Sequence, residues 1–546
     1  MLREYRLTNF KAFGETVTIP IRPLTLIFGA NSSGKSSIFQ SLLLLKQTLE
    51  EAKNPNTALL PKGSLVDLGI YSDFIHRHET DRNFEFGVRF NLGNTNESTV
   101  HEDRRQEYIP SPPRGRQILN AVGIADTSLT LKFSYDEEKR ILEPFGLDLT
   151  IEDEQLPLIS YNDNKVSFNF ESKFWRPWWI HMKRYISDLI AWAHSIEDGE
   201  TGEDIGRDWQ GLQSTLKRYQ LEDIIVESIG FRKFFPDKKL GSISFRKFFP
   251  DKFKFDLMSF TKLVNWKINI SLVAQYDTDD RTEYDETPDV SHRDVREELN
   301  ESVCQIAAAI CSPLPRILEN LAYLGPLRSQ PEHYYEYSGD VSEYVGQRGE
   351  NLPSILFKKP DILEEINDAL ERLGVRYRLK LSKLRHEDDS LSDIFSLLLI
   401  DKRTGIDASL RDVGFGISQV LPIVVQSCLS EKKTLLIEQP EIHLHPAHQA
   451  ELGDLFIRSA KERGNTLLLE THSENLILRI LRRIRETTEG ELPSDLPPIR
   501  PEDVSVLYVQ PGEKGAQVVE IPVTEDGDFD RPWPQGFFEE SIKELV

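Results

Sequence analysis

Short continuous apolar runs alternate along this chain with stretches in which apolar residues recur every three or four positions. Leu24-Thr25-Leu26-Ile27-Phe28, Thr434-Leu435-Leu436-Ile437 and Thr466-Leu467-Leu468-Leu469 have the length and bulk of buried strands. Ile38, Leu42, Leu45 and Leu49 share one helical face, and so do Leu452, Leu455 and Phe456, with Gly464 stopping that second helix. Val420 to Leu429 predicts another helix, and Val504 to Val509 and Ala516 to Ile521 predict two more strands. Near the start, Arg6-Leu7-Thr8 and Val17-Thr18-Ile19 read as short β segments. Leu129 to Tyr135 and Val166 to Phe170 alternate as strands do. Tyr185 to Ile196 and Val295 to Leu321 read as helical, and from Tyr323 to about residue 430 a helical lobe is expected. The expected class is α/β. No heptad pattern is sustained, which argues against a long coiled-coil arm.

The chemistry begins between the first buried strand and the first helix. Gly29-Ala30-Asn31-Ser32-Ser33-Gly34-Lys35-Ser36 is a G-x-x-x-x-G-K-S phosphate loop in strand–loop–helix context. Such a loop turns backbone N–H groups and a helix N-terminus towards phosphate, so Asn31, Ser32, Ser33, Gly34 and Ser37 are expected around a nucleotide's phosphates. Lys35 would reach the β/γ-phosphates, and Ser36 would hold Mg²⁺ through its hydroxyl.

About 400 residues later the second strand ends in a carboxylate, Glu438, followed by Gln439-Pro440-Glu441. A strand ending in an acid is what a magnesium and water site needs beside a phosphate loop. The third strand ends Glu470-Thr471-His472, and His472 is placed to touch a γ-phosphate. Upstream, Gly414-Phe415-Gly416-Ile417-Ser418-Gln419 opens a helix and offers further N–H groups, with Gly414, Gly416 and Ser418 as the candidates. His443, His445 and His448 have a spacing that could suggest a metal cluster.

Composition narrows the class. With 546 residues, 39% hydrophobic and 28% charged, the chain is a soluble multi-domain protein in expectation. No apolar run nears the roughly 18 residues of a membrane span, so no membrane partner is expected. Three scattered cysteines and no signal-peptide core point to the reducing cytoplasm. A formal charge of −23 argues against a protein that coats nucleic acid.

The stretch from about 95 to 120 is polar and Pro-rich, a surface loop in expectation, and roughly 200 residues after it read as an α+β insertion. Two features stand out there. Phe174-Trp175-Arg176-Pro177-Trp178-Trp179 is either core or an anchor for a partner. Ser228 to Lys238 returns almost unchanged as Ser242 to Lys252, basic and Phe-rich. This 228–252 repeat either packs its phenylalanines after a recent duplication or stacks on single-stranded nucleic acid. The expected domains are 1–105, the ATPase lobe with the phosphate loop; 106–322, the insertion; 323–486, the helical lobe with the later motifs; and 487–546, a C-terminal segment.

The order of motifs resembles the ABC-type ATPases of the SMC-like and overcoming-lysogenisation-defect-like group. The phosphate loop is followed by an insert, Gly-Phe-Gly-Ile-Ser-Gln, Ile-Glu-Gln-Pro-Glu-x-His-Leu-His-Pro and Glu-Thr-His-Ser. The ending Trp533-Pro534-Gln535-Gly536-Phe537-Phe538 resembles, more narrowly, prokaryotic AAA-family ATPases with a Trp-Pro-x-Gly-Phe-Phe tail. The resemblance covers residues 1–75 and 323–540. It implies a P-loop ATPase head with mixed sheet and helical lobe, dimerising head-to-tail so that Gly414, Gly416 and Ser418 meet the ATP of the other subunit. It also implies ATP and Mg²⁺ as cofactors, with a homodimer as the smallest assembly. Many relatives act in anti-phage defence beside a separately encoded nuclease, as in Septu and some retron systems, and here an HNH-type effector is favoured. No effector nuclease motif is visible in this chain.

In the same alignment Asn9-Phe10-Lys11 matches an N-terminal strand whose basic residue approaches the nucleotide; Lys11 on a half-buried edge strand is the other reading. Glu438 takes the magnesium position, and Gln439 stands where the general base is expected. An amide cannot accept a proton at neutral pH, so turnover should be slow unless another carboxylate substitutes, and Glu441 is the candidate. The resemblance also accounts for the histidine loop without a metal. Two other classes are an SMC-like ATPase acting on DNA in repair or recombination, disfavoured by the acidic balance and the non-coiled insert, and a transporter subunit, disfavoured by the altered signature.

Overall fold

The computed structural model describes residues 2–54, 57–91, 126–138, 141–151, 156–157, 159–162, 165–168, 313–339, 341–385 and 391–534. The Pro-rich loop, the tryptophan cluster, the helix expected from Tyr185, the 228–252 repeat, most of the expected insertion and Gly536-Phe537-Phe538 lie outside the described residues.

The chain forms two compact units. One comprises Met1–Leu2, Glu51–Leu59 and Glu85–Arg316; the other comprises Arg3–Glu50, Leu60–Phe84 and Ile317–Val546. The second unit begins with β1 (Leu2–Thr8), β2 (Val17–Pro20), β3 (Leu24–Gly29), α1 (Lys35–Glu51) and the single-turn α2 (Tyr71–Phe74). The first unit holds β4 (Phe84–Asn91), β5 (Asp126–Asp136), β6 (Ile141–Ile151), β7 (Ile159–Asn162) and β8 (Lys165–Phe168), lying side by side in that order. Its alternating strands turn Phe86, Val88, Leu129, Leu131, Phe133 and Leu149 into a shared interior.

The second unit resumes with α3 (Pro313–Glu319), β9 (Leu321–Leu324), β10 (Tyr335–Glu336), α4 (Leu352–Lys358) and α5 (Leu363–Arg372). Then follow β11 (Tyr377–Arg385), β12 (Leu391–Asp401), β13 (Asp407–Ser409) and α6 (Phe415–Leu429). The chain continues through β14 (Thr434–Glu438), α7 (Pro446–Glu462), β15 (Thr466–Glu470), α8 (Glu474–Glu489), β16 (Val504–Gln510) and β17 (Gln517–Glu520). The region expected to be a helical lobe therefore also carries an antiparallel sheet, β10-β12-β11 with β13 on β12. Its long strands interleave charge with apolar residues, as in Lys380-Leu381-Ser382-Lys383, and an isolated window of that kind carries no helical stripe. α6 begins at Phe415, earlier than expected, so Gly416 and Ser418 lie in its first turn.

The central sheet runs β17-β16-β3-β15-β14-β9. Pairing is parallel from β16 through β9, and only β17 is antiparallel. Every residue of β3, β14 and β15 is buried, the mark of a parallel sheet covered on both faces. Local signals bound its helices. His445 caps α7 ahead of Pro446, and Ser473 caps α8 by accepting a 3.1 Å bond from the Leu476 N–H. Gly490, in the left-handed region at φ 75°, closes α8. At the far end of the chain Trp533 stands edge-on to Phe28, with ring centres 5.2 Å apart, and also meets Phe529 at 5.0 Å and Tyr508 at 6.0 Å.

Phe456 of α7 is fully buried in the core that joins the central sheet to α5, α6 and α8. Phe456→Ala is expected to cost about 3–5 kcal/mol, read as a lower midpoint in urea unfolding followed by circular dichroism.

Candidate nucleotide site

Strand register builds the site. Ile27 of β3 lies opposite Glu470 of β15, and Glu470 lies opposite Glu438 of β14. The loop leaving β3 and the two carboxylates thus arrive at one edge, the carboxyl end of a parallel sheet, where open α/β sheets bind ligands. Hydrogen bonds extend that edge: the Thr471 N–H donates to Ile27 O at 3.2 Å and the Gln439 N–H to Glu470 O at 2.7 Å.

The loop itself is tightly specified. Gly34 sits at φ 110°, and a Cβ there would come within 2.6 Å of the Ala12 side chain, so only glycine fits. Asn31 and Ser32 are exposed, Ser32 in the left-handed region at φ 61°. Ser33 is buried, and its hydroxyl has no hydrogen-bond partner. Ser37 is buried in the first turn of α1, its N–H reaching Gly34 O at 3.0 Å. Lys35 is buried and folds back on the loop, donating to Gly29 O at 3.0 Å and Ala30 O at 2.9 Å, with Glu470 Oε1 at 4.0 Å. Burial draws its ammonium pKa down, and Glu470, Glu438 and Glu441 pull the other way.

Three glutamates surround this lysine. Glu470 Oε2 accepts the Ser36 hydroxyl at 2.9 Å. Glu438 Oε1 accepts the Tyr323 hydroxyl at 2.9 Å, while Arg328 donates to the Glu438 main-chain oxygen at 3.0 Å. Glu441 binds the third strand's exit, with Thr471 Oγ1 donating to Oε2 and the His472 N–H to Oε1, each at 2.8 Å. Burial pushes all three carboxyls up, and the neighbouring Glu470 charge helps bring Glu438 to about 7. Burial also lowers the Arg328 guanidinium to about 10.

The remaining candidates fall as follows. Gln439 directly follows β14 in a left-handed conformation, φ 46°. The half-buried His472 has its pKa lowered by burial and by Lys35. Lys11, also left-handed at φ 48°, donates its ammonium to Gln40 Oε1 of α1 at 2.6 Å. Gly414, Gly416 and Ser418 open α6 against the loop after β14, where a Cβ on Gly416 would stand 2.8 Å from His443 O. His448 bonds Leu373 O through Nδ1 at 2.7 Å, and His445 serves as a helix cap. Among the described residues no group of three or more His, Cys, Asp or Glu side chains could hold a metal ion.

Four residues of the site escaped the sequence reading. Glu470 had the same signal as Glu438, an acid ending a buried run, but was read only as a strand end. Thr471 followed it unremarked. Tyr323 and Arg328 lie more than 100 residues before Glu438, and no local pattern joins them to it.

ATP with Mg²⁺ fits these residues. The partnerless Ser33 hydroxyl in a loop of N–H donors suits a phosphate oxygen. Hydroxyl and carboxylate oxygens from Ser36 and Glu438 are the hard donors Mg²⁺ prefers, and the ion would supply charge neutralisation to the phosphates.

A parallel sheet, a phosphate loop on its central strand and buried acids on the neighbouring strands define a P-loop ATPase head. The chain belongs to the AAA ATPase domain family, whose model matches residues 1–173 and 332–477, more than half its length. Residues 499–546 match a second model, a protein family of unknown function, DUF3696. No curated protein matches this sequence. Among solved structures, similarity extends to the Smc head domain bound to the C-terminal domain of ScpA from Pyrococcus furiosus. That match has 12% identity, 100% of this chain and 98% of that one covered, and TM-score 0.37. The Smc head domain with a coiled coil and joint from Pyrococcus yayanosii matches at 12% identity, 100% and 99% coverage and TM-score 0.35. The SMC head domain from Thermotoga maritima matches at 9%, with 96% and 99% coverage and TM-score 0.33. Likeness this remote leaves the family model to carry the assignment. Among the described residues no helix is long and apolar enough to cross a membrane.

The raised Glu438 carboxyl makes a signed prediction. The folded protein holds this proton more tightly than the unfolded chain, so Glu438's contribution is fully present below about pH 4.5 and is lost as pH rises through about 7. In thermal unfolding without nucleotide, Glu438→Gln should gain stability relative to the parent between pH 5 and pH 7.5. A constant difference across that range would contradict the assignment.

Proposed function

We propose that the protein is an ATP-driven switch: a cytoplasmic homodimer, or a higher oligomer of it, that binds ATP with Mg²⁺, hydrolyses it slowly and controls a separate effector. One observation carries this reading: Lys35 and Ser36 of the phosphate loop meet a buried carboxylate set, while the residue after Glu438 is an amide. Lys35 is assigned to the β/γ-phosphates, Ser36 and Glu438 to Mg²⁺, and Asn31, Ser32, Ser33, Gly34 and Ser37 to the phosphate cradle. Lys11, whose ammonium reaches Gln40 of α1, is assigned to the same nucleotide. In the step proposed, water attacks the γ-phosphorus, the bond to the β-phosphate oxygen breaks, and ADP and phosphate leave. Glu441 takes the water's proton in place of Gln439, and its tie to the His472 main chain couples it to the γ-phosphate contact.

Gly414, Gly416 and Ser418 are assigned to the ATP of a second subunit. Residues 1–105 and 323–486 are proposed to form the ATPase head, 106–322 the insertion and 487–546 a C-terminal segment. The effector rests on the motif resemblance: relatives in anti-phage defence work beside a nuclease, and an HNH-type enzyme is the partner proposed here. The insertion, including the 228–252 repeat, is the proposed place for any contact with nucleic acid.

Steady-state ATP turnover of the parent should exceed that of Lys35→Ala and of Glu441→Gln, with all three folded by circular dichroism. ATP should raise the mass of Glu441→Gln on size-exclusion chromatography towards that of a dimer. A parent that binds no ATP would refute the reading. Turnover in Glu441→Gln equal to the parent's would remove Glu441 as the base.

A further inference from the structure

We infer that Glu470 is a second carboxylate of the Mg²⁺ site, acting with Ser36, so that the divalent cation is held between β15 and α1 as well as by Glu438. The inference rests on the ATP reading above and concerns a residue to which that reading gives no role.

The hydroxyl that a phosphate loop offers to its cation is already engaged in this protein, and its partner is Glu470. Ser36 Oγ lies 2.9 Å from Glu470 Oε2. The Glu438 carboxylate faces another group, the Tyr323 hydroxyl, through Oε1. Glu470 is only 5% exposed, and its other oxygen is 4.0 Å from the Lys35 ammonium. That lysine's own hydrogen bonds go to Gly29 O and Ala30 O. One hydroxyl and one ammonium at 4.0 Å are thin compensation for a buried carboxylate. A cation bound by Ser36 would supply the missing charge at the atom Glu470 already touches. Parallel register adds the geometric reason: Glu438 and Glu470 are opposed residues on neighbouring strands, so both can face one ion at the sheet's carboxyl edge. Two acids from adjacent strands and a hydroxyl from the loop make an all-oxygen donor set of the kind Mg²⁺ prefers.

The test compares affinity for a fluorescent ATP analogue, mant-ATP, in EDTA and in Mg²⁺. The parent should bind in EDTA and tighten when Mg²⁺ is added. Ser36→Ala and Glu470→Gln should each lose on the order of 10-fold or more of the Mg²⁺-dependent tightening, read as the ratio of each variant's own affinities in Mg²⁺ and in EDTA. The double variant should lose less than the two single losses combined, because both residues serve one ion. Where Glu470→Gln fails to fold by circular dichroism, Glu470→Asp, which shortens the reach to Ser36, is measured instead and should lose part of the tightening. A Glu470 variant with the parent's full Mg²⁺ response overturns the inference. A parent that binds mant-ATP in neither buffer overturns the ATP reading itself, an outcome distinguishable from the first.

Discussion

The parallel register of β3, β15 and β14 is the constraint on which the site depends. Each strand is a buried apolar run with no face to spare for charge, so its chemistry is confined to the terminus. Glycine ends β3, and glutamate ends the other two. A slip of one residue in any pairing would move an acid into the core or away from Lys35. The rest of the head serves this alignment. α7 and α8 pack on each other and on the core that holds the strands, while Tyr323 and Arg328 brace the end of β14.

That alignment concentrates negative charge. Glu438, Glu441 and Glu470 share a buried edge with Lys35 and Arg328, and burial raises all three carboxyls. Such crowding is costly in a folded chain and is common where a protein must hold cations and phosphates. The amide at Gln439 fits the same pattern, since a fourth acid there would add to the repulsion. Its main-chain N–H instead ties β14 to β15.

Much of the head was legible in the sequence because its signals are local. The phosphate loop, three buried strands and the helices α1 and α7 each announce themselves within about 20 residues. What stayed hidden depends on contacts far apart in the chain. Tyr323 reaches Glu438 across 115 positions, and Ser36 reaches Glu470 across 434. Glu470 could have been found by applying to β15 the reasoning used for β14. The antiparallel sheet of β10 to β13 was hidden for another reason. Its strands mix charge and apolar residues, and their pairing is defined by register between segments rather than by either alone.

Trp533 gives the end of the chain a say in its beginning. The indole lies against Phe28, the residue just before Gly29, and against Tyr508 and Phe529. It is therefore a wedge behind the strand from which the phosphate loop springs. Lifting that wedge would leave an aromatic-sized gap beside the loop's anchor, and close-packed interiors answer such gaps by shifting. The strand that carries the phosphate loop is thus packed in part by the C-terminal segment.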